Sequence, residues 1–170
     1  MSKKDSNKKV KNELKEFANA LRFQVNWKAK TVYPAMTDEI QARLESEMQW
    51  IIENGLQHGF LQLKEICDAA KAIVGSDIAP DHGPLGGSAV AYCLGITGAD
   101  PIIEGRTMAE MESPAPQNIN VSIHFDPEKR NEVVTWTENK YGEKAMTRMG
   151  VYIFKLDRVI LEYHRNMKDL

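Results

Sequence analysis

Leu14, Phe17, Ala18 and Leu21 stand at i, i+3, i+4 and i+7 among polar neighbours, which brings them to one face of an α-helix running to about Phe23. Pro34 separates this helix from a second apolar series. Ile40, Leu44, Met48, Ile51 and Ile52 repeat on one face, with Thr37 placed to cap the first turn and Gly55 to end the last. Phe60, Leu63, Ile66, Cys67, Ala70 and Ile73 then predict another helix, closed by Gly75, and the glycine-rich stretch after it opens a short helix from about Gly87 to Leu94. Residues 98–118 contain three prolines and few large apolar groups, so they read as irregular connection.

Beyond this point the period changes. NINVSIHF, Asn118 to Phe125, puts Asn118, Asn120, Ser122 and His124 on one side and Ile119, Val121, Ile123 and Phe125 on the other, as a half-buried strand does. Asp126 can cap a helix with Pro127 at its first position, and Val133, Val134 and Trp136 or Thr137 supply its apolar face before Tyr141-Gly142 stops it. Ala145–Tyr152 reads as a strand, and Leu156, Val159, Ile160 and Tyr163 read as a last helix. The fold class is therefore α+β and helix-rich. Two strands make a marginal sheet, so the sheet is expected to be incomplete, needing a further strand from this chain or from a partner.

Composition changes this picture little. A chain of 170 residues suits one domain, read here as residues 13–170 behind a basic arm of residues 1–12. No apolar run approaches the roughly 20 residues of a membrane helix, and the N-terminus lacks a signal-peptide core, so a cytoplasmic protein without membrane contact is expected. Cys67 and Cys93 each sit within an apolar helical pattern, which favours buried reduced thiols over a disulfide or a zinc site. Charge is more informative. Residues 1–30 carry a net +6, residues 31–125 a net −9 and residues 126–170 a net +1. MSKKDSNKKVKN is polar enough to be a disordered, solvated arm.

Four stretches carry a family likeness in kind and in order: RLESEMQWIIENG (Arg43 to Gly55), FLQLKEICDAA (Phe60 to Ala70), GGSAVAYCLGITGADP (Gly86 to Pro101) and HFDPEKRNEVVTWTENKYG (His124 to Gly142). Together they resemble the start of the polymerase region of the C-family bacterial replicative DNA polymerases, the alpha subunit of DNA polymerase III. The most specific piece is SAVAYCLGITGADP, where the family typically has S-L-V-A-Y-x-L-G-I-T-x-x-D-P. The resemblance implies a polymerase-beta-like nucleotidyltransferase palm. It also implies that the family's N-terminal phosphoesterase-like domain, thumb, fingers and most of the palm have no room here, so a truncated relative is expected.

The family adds nucleotides with two metal ions held by aspartates on palm strands. Its first acidic cluster has the form P-D-x-D-x-D-F; anchored on Phe125, the three acidic positions fall on Asn120, Ser122 and His124. None is acidic, and magnesium needs hard oxygen ligands, so no catalytic residue and no metal are expected. A slipped alignment would recruit Asp126 and Glu128, but these belong to a helix start and project differently from a strand. The four histidines, His58, His82, His124 and His164, show no zinc-ligand spacing.

The family's phosphate loop resembles G-P-G-R-G-S-x-x-G-S, and the matching segment here is A-P-D-H-G-P-L-G-G-S, Ala79 to Ser88. Asp81 puts an anion where a glycine stood, His82 replaces the arginine, and Pro84 deletes an N–H, each weakening phosphate binding. Gly83, Gly86, Gly87 and Ser88 persist as the remnant of a nucleotide-binding turn, which turn geometry and close packing explain equally well. No cofactor is expected. The reading is a catalytically inactive, palm-like protein that binds a protein partner, a replication component or itself. The alternatives are a nucleotide- or nucleic-acid-binding regulator using Gly86–Ser88 and the lysine-rich arm, and a segment of a split polymerase. Weak nucleic-acid contact is expected, if any, through the arm and Lys129, Arg130, Lys140, Lys144 and Arg148.

Overall fold

The computed structural model describes residues 2–76, 78, 83–112, 116–146 and 150–165. Its longest element is α1, Lys3–Val32, which begins where a solvated arm was expected. Ser2 and Asp5 form a capping box, each side chain bonded to the other's backbone N–H, and Lys9 pairs with Glu13 one turn on. Such local contacts favour helix in a lysine-rich segment that has good helix propensity. Leu21, Val25 and Ala29 are its buried residues, so the helix extends about two and a half turns past Phe23, nearly to Pro34.

Helix α2, Asp38–Glu53, starts at the Thr37 cap, where the side chain accepts from the Ile40 amide, and buries Leu44, Met48 and Ile51. Helix α3, Gln57–Val74, buries Phe60, Leu63, Ile66, Cys67 and Ala70 and ends at Gly75 in the left-handed region, as the sequence predicts. The glycine-rich segment is tighter than expected: a 3-10 turn over Pro84–Gly87 leads into α4, Ala89–Cys93, only five residues long. Of the irregular connection, one turn becomes α5, Ala109–Glu112. Strand β1 is Ile119–Phe125, and α6, Pro127–Tyr141, follows with Pro127 at its first position.

The C-terminal part departs most from the sequence reading. The stretch from Ala145 splits into β2, Ala145–Met146, and β3, Tyr152–Lys155, while the segment read as a last helix is strand β4, Val159–Arg165. Leu156, Val159, Ile160 and Tyr163 fit a helical period, but Val159, Leu161 and Tyr163 fit a period of two, and from Val159 to Arg165 it is these three that are buried. The turn between β3 and β4 decides the matter. Arg158 takes φ +63° there and its guanidinium donates to the carbonyls of Asn54, Gln117 and Pro116, fixing the reversal.

The result is a small mixed sheet in the order β1-β4-β3-β2, with β1 parallel to β4 and β3 antiparallel to it. The further strand that was expected is thus β4, supplied by the chain itself. Ile119, Val121, Ile123 and Phe125 of β1 and Val159, Leu161 and Tyr163 of β4 form the core face, against which α6 packs, with α3 on α6 and on the β3–β4 turn. Gly59 of α3 lies so close to the β3–β4 turn that a Cβ there would meet the Asp157 carbonyl at 2.6 Å. Among the described residues no helix is long and apolar enough to cross a membrane.

Candidate functional site

Two places inherit the chemistry that the sequence raises: the open face of the sheet and the start of α4. On the first, Asn120, Ser122 and His124 do share one side of β1, exposed or half-buried, because strand geometry sends alternate residues to opposite faces. The parallel register sets Ile160, Glu162 and His164 of β4 beside them. Glu162 accepts from Ser122 Oγ at 3.5 Å and lies 3.0 Å from His164 Nε2. His164 stacks on His124 with ring centroids 4.8 Å apart and 19° between planes.

The histidine pair was invisible in the sequence because it depends on β4 being a strand. The signal that could have found it is the alternation of Glu162 and His164 with buried Leu161 and Tyr163. Of β1 and β4 together, Glu162 is the sole carboxylate on this face. No group of three His, Cys, Asp or Glu side chains among the described residues is arranged to hold a metal ion. Asp126 and Glu128, the alternative pair, belong to the cap and first turn of α6. Chemically the face offers one carboxylate already engaged by a hydroxyl and an imidazole.

The start of α4 looks, in outline, like an anion seat, and a carboxylate from α2 fills it. Glu47, 5% exposed, accepts from Ser88 Oγ at 2.9 Å, from the Ala89 amide at 3.0 Å and from the Val90 amide at 2.9 Å. These are the first free N–H groups of the helix, where a phosphate would otherwise bind. Arg43, one turn earlier on α2, donates from Nε to Glu47 at 3.0 Å and from its terminal nitrogen to the Gly87 and Arg106 carbonyls, both at 2.7 Å. Ser88 also caps α4 by accepting from Ala91 at 3.0 Å. The buried carboxylate is therefore hydrogen-bonded on both oxygens and paired with a cation, as burial requires.

Two of the persisting glycines are closely packed. A Cβ on Gly87 would meet the Thr107 carbonyl oxygen at 1.9 Å, and one on Gly86 would meet the Arg106 guanidinium at 2.3 Å. Gly83 precedes the 3-10 turn in extended backbone, and Pro84 is its first residue. Asp81 and His82 lie outside the described residues. Further along, Asp100 accepts from the Tyr33 hydroxyl and from the Ile102 amide, both at 2.9 Å, so the acidic residue of ITGADP ties the loop after α4 to the end of α1. Burial and the Asp100 carboxylate both push the Tyr33 hydroxyl pKa far up.

Of the cations considered for nucleic acid, those on and after α6 are engaged within the chain. Lys129 pairs with Glu132, Lys140 with Glu65 and Lys144 with Glu138. Arg130, 6% exposed, donates to the Gly150 carbonyl and lies over the Tyr152 ring; burial lowers its pKa. Arg148 lies outside the described residues.

Residues 11–165 match a family model, that of the bacterial DNA polymerase III alpha NTPase domain. The chain belongs to this family. It is 30% identical over 135 residues to the DNA polymerase III subunit alpha of Aquifex aeolicus, which covers 77% of this chain and 11% of that protein. It is 32% identical over 147 residues to an error-prone DNA polymerase of Bordetella parapertussis, covering 85% of this chain and 14% of that one. The corresponding subunit from Mycobacterium tuberculosis is 29% identical over 134 residues. The chain thus spans about a tenth to a seventh of the length of these curated relatives.

Proposed function

We propose that this polymerase III alpha-like segment is a catalytically silent, palm-like scaffold retained to bind another protein. The observation that carries this reading is the open sheet face. Asn120, Ser122 and His124 stand where the resemblance puts acidic ligands, and the single carboxylate across from them, Glu162, is engaged by Ser122 and His164. Two-metal phosphoryl chemistry needs several hard anionic oxygens converging on the ions. The α4 start supports the same reading, because Glu47 takes the Ala89 and Val90 amides that a nucleotide-binding turn would use.

We favour a partner of different sequence over self-association, because the further strand beside β1 is β4 of the same chain. The test is primer extension with magnesium or manganese on purified protein carrying no detectable host polymerase. No incorporation is expected; incorporation abolished by Ser122→Ala or His124→Ala would overturn the reading.

A further inference from the structure

The exposed aromatic residues of this chain are concentrated on one helix. Phe23 and Trp27 of α1 are 69% and 63% exposed, lie one helical turn apart, and present nearly parallel rings with centroids 6.4 Å apart. Trp27 lines a furrow between α1 and α3, and Phe23 stands one turn before it, stacked on its ring. This furrow holds two hollows that share Asp68: one of about 460 Å³ reaching Phe17, Gln24 and Leu61, and one of about 520 Å³ reaching Trp27, Lys71 and Thr97. From Phe17 to Thr31 it follows about 21 Å of α1, the length of roughly 14 helical residues. Two buried polar atoms along it, Gln24 Oε1 and Thr97 Oγ1, have no hydrogen-bond partner.

We propose that this furrow docks an acidic amphipathic helix of a partner protein, with Phe23 and Trp27 as its anchors. The inference rests on the reading of the chain as a binding scaffold, and it names the surface and the chemistry of the partner. Large aromatics that are rigid and exposed are the side chains that dominate protein interfaces when buried by a partner. An apolar face laid into a furrow of this length is the ordinary way one helix is recognised by two others. Charge selects the partner. Between Phe17 and Thr31 helix α1 carries Arg22, Lys28 and Lys30 and no Asp or Glu. Lys28 and Lys30 flank Trp27, with Lys30 5.7 Å over its ring, and across the furrow Lys64 and Lys71 offset Glu65 and Asp68. A second copy would bring its own α1, of the same sign, to this place, whereas acidic residues beside the partner's apolar face meet opposite charge and are steered in.

The test uses the full chain and a fluorescein-labelled synthetic 18-residue helix with leucines at i, i+3, i+4 and i+7 flanked by glutamates, read by anisotropy. Its controls are a scrambled peptide of the same composition, a lysine-flanked version and an 18-nucleotide oligothymidylate. Saturable binding of the acidic helix alone is expected, weakened about tenfold or more by Phe23→Ala or Trp27→Ala and weakened by Lys28→Glu with Lys30→Glu. These side chains are exposed, so circular dichroism should show each variant folded. Oligothymidylate binding lost in the same variants would overturn the proposal in favour of a base-stacking platform, and so would equal binding of the scrambled peptide or no binding at all. Primer extension on the same samples separates the two readings: incorporation overturns the silent scaffold, while its absence together with no peptide binding overturns only the furrow.

Discussion

Replacing Glu47 by alanine removes one carboxylate and strands four groups at once. The Ser88 hydroxyl and the Ala89 and Val90 amides lose their acceptor, and Arg43, whose side chain is only 25% exposed, loses its counter-charge. Breaking a buried ion pair from one side costs about 3–5 kcal/mol, because the desolvation of the remaining partner is no longer offset. The short α4 cannot compensate, since five residues give it almost no helical stability of its own. At about 2–4 °C per kcal/mol for a chain of this size, Glu47→Ala should lower Tm by roughly 6–20 °C. Calorimetry or urea unfolding measures this, with the m-value checking that the transition stays two-state. Glu45, 48% exposed and paired with Arg22, is the control on the same helix, and Glu45→Ala should cost under about 1 kcal/mol. Adding Arg43→Met to Glu47→Ala should cost less than the two single changes combined, by about 1–3 kcal/mol, because the pair acts as a unit. A Glu47→Ala loss no larger than that of Glu45→Ala would refute the claim that this carboxylate organises the glycine turn and α4.

Gly87→Ala forces a Cβ against the Thr107 carbonyl and should destabilise by about 1–3 kcal/mol in nucleotide-free buffer; an unchanged unfolding midpoint would show the packing account to be mistaken. Burial raises the pKa of both thiols, Cys67 and Cys93, to about 12, so a disulfide reagent at pH 8 should label neither until denaturant is added. The Glu65 carboxylate is held below its ordinary pKa, chiefly by the Tyr141 hydroxyl and also by Lys140. A lowered folded-state pKa means stability that is present above the unfolded carboxylate value of about 4.3 and lost as pH falls through the folded one. With the Glu65 side chain 46% exposed the effect is small, and the Tm difference between wild type and Tyr141→Phe should shrink between pH 6 and pH 3; a constant difference would argue against the linkage.

What could be read in the sequence followed from single-period patterns with clear ends. Thr37, Gly55 and Gly75 punctuate α2 and α3, and the alternation of Ile119 to Phe125 has no helical counterpart, so these elements and the shared face of Asn120, Ser122 and His124 were legible. Three features were not. Residues 3–12 are polar except for the exposed Val10, and whether such a segment is coil or helix turns on capping and on the attachment of α1 further along, not on its own hydrophobicity. Val159 to Tyr163 satisfies both periods, and the left-handed Arg158 with its three distant carbonyl partners, which selects the strand, has no local signature. Glu47 looked like one polar position of an amphipathic helix, although it stands three residues from Leu44 and next to Met48, inside the buried stripe. A carboxylate at that position in the pattern was the available signal that something must satisfy it.

On the proposed reading there is a physical reason for a fold to outlast its chemistry. In a one-sided sheet the residues that build the core and those that face outward alternate, so each set can change without the other. Ile119, Val121, Ile123 and Phe125 are between 0% and 3% exposed, so β1 packs on α6 through side chains other than those of Asn120, Ser122 and His124. Ligating carboxylates crowded on the open face repel one another until a cation neutralises them, so replacing them with neutral groups removes a cost and leaves the core intact. At the start of α4 the opposite holds. Glu47 is on the buried side, where Ser88, Arg43 and the helix amides all converge on it, and a change there cannot be absorbed. Substitution of Asn120 should therefore leave stability nearly untouched while substitution of Glu47 should not, because one position faces outward from the sheet and the other closes the joint between two helices.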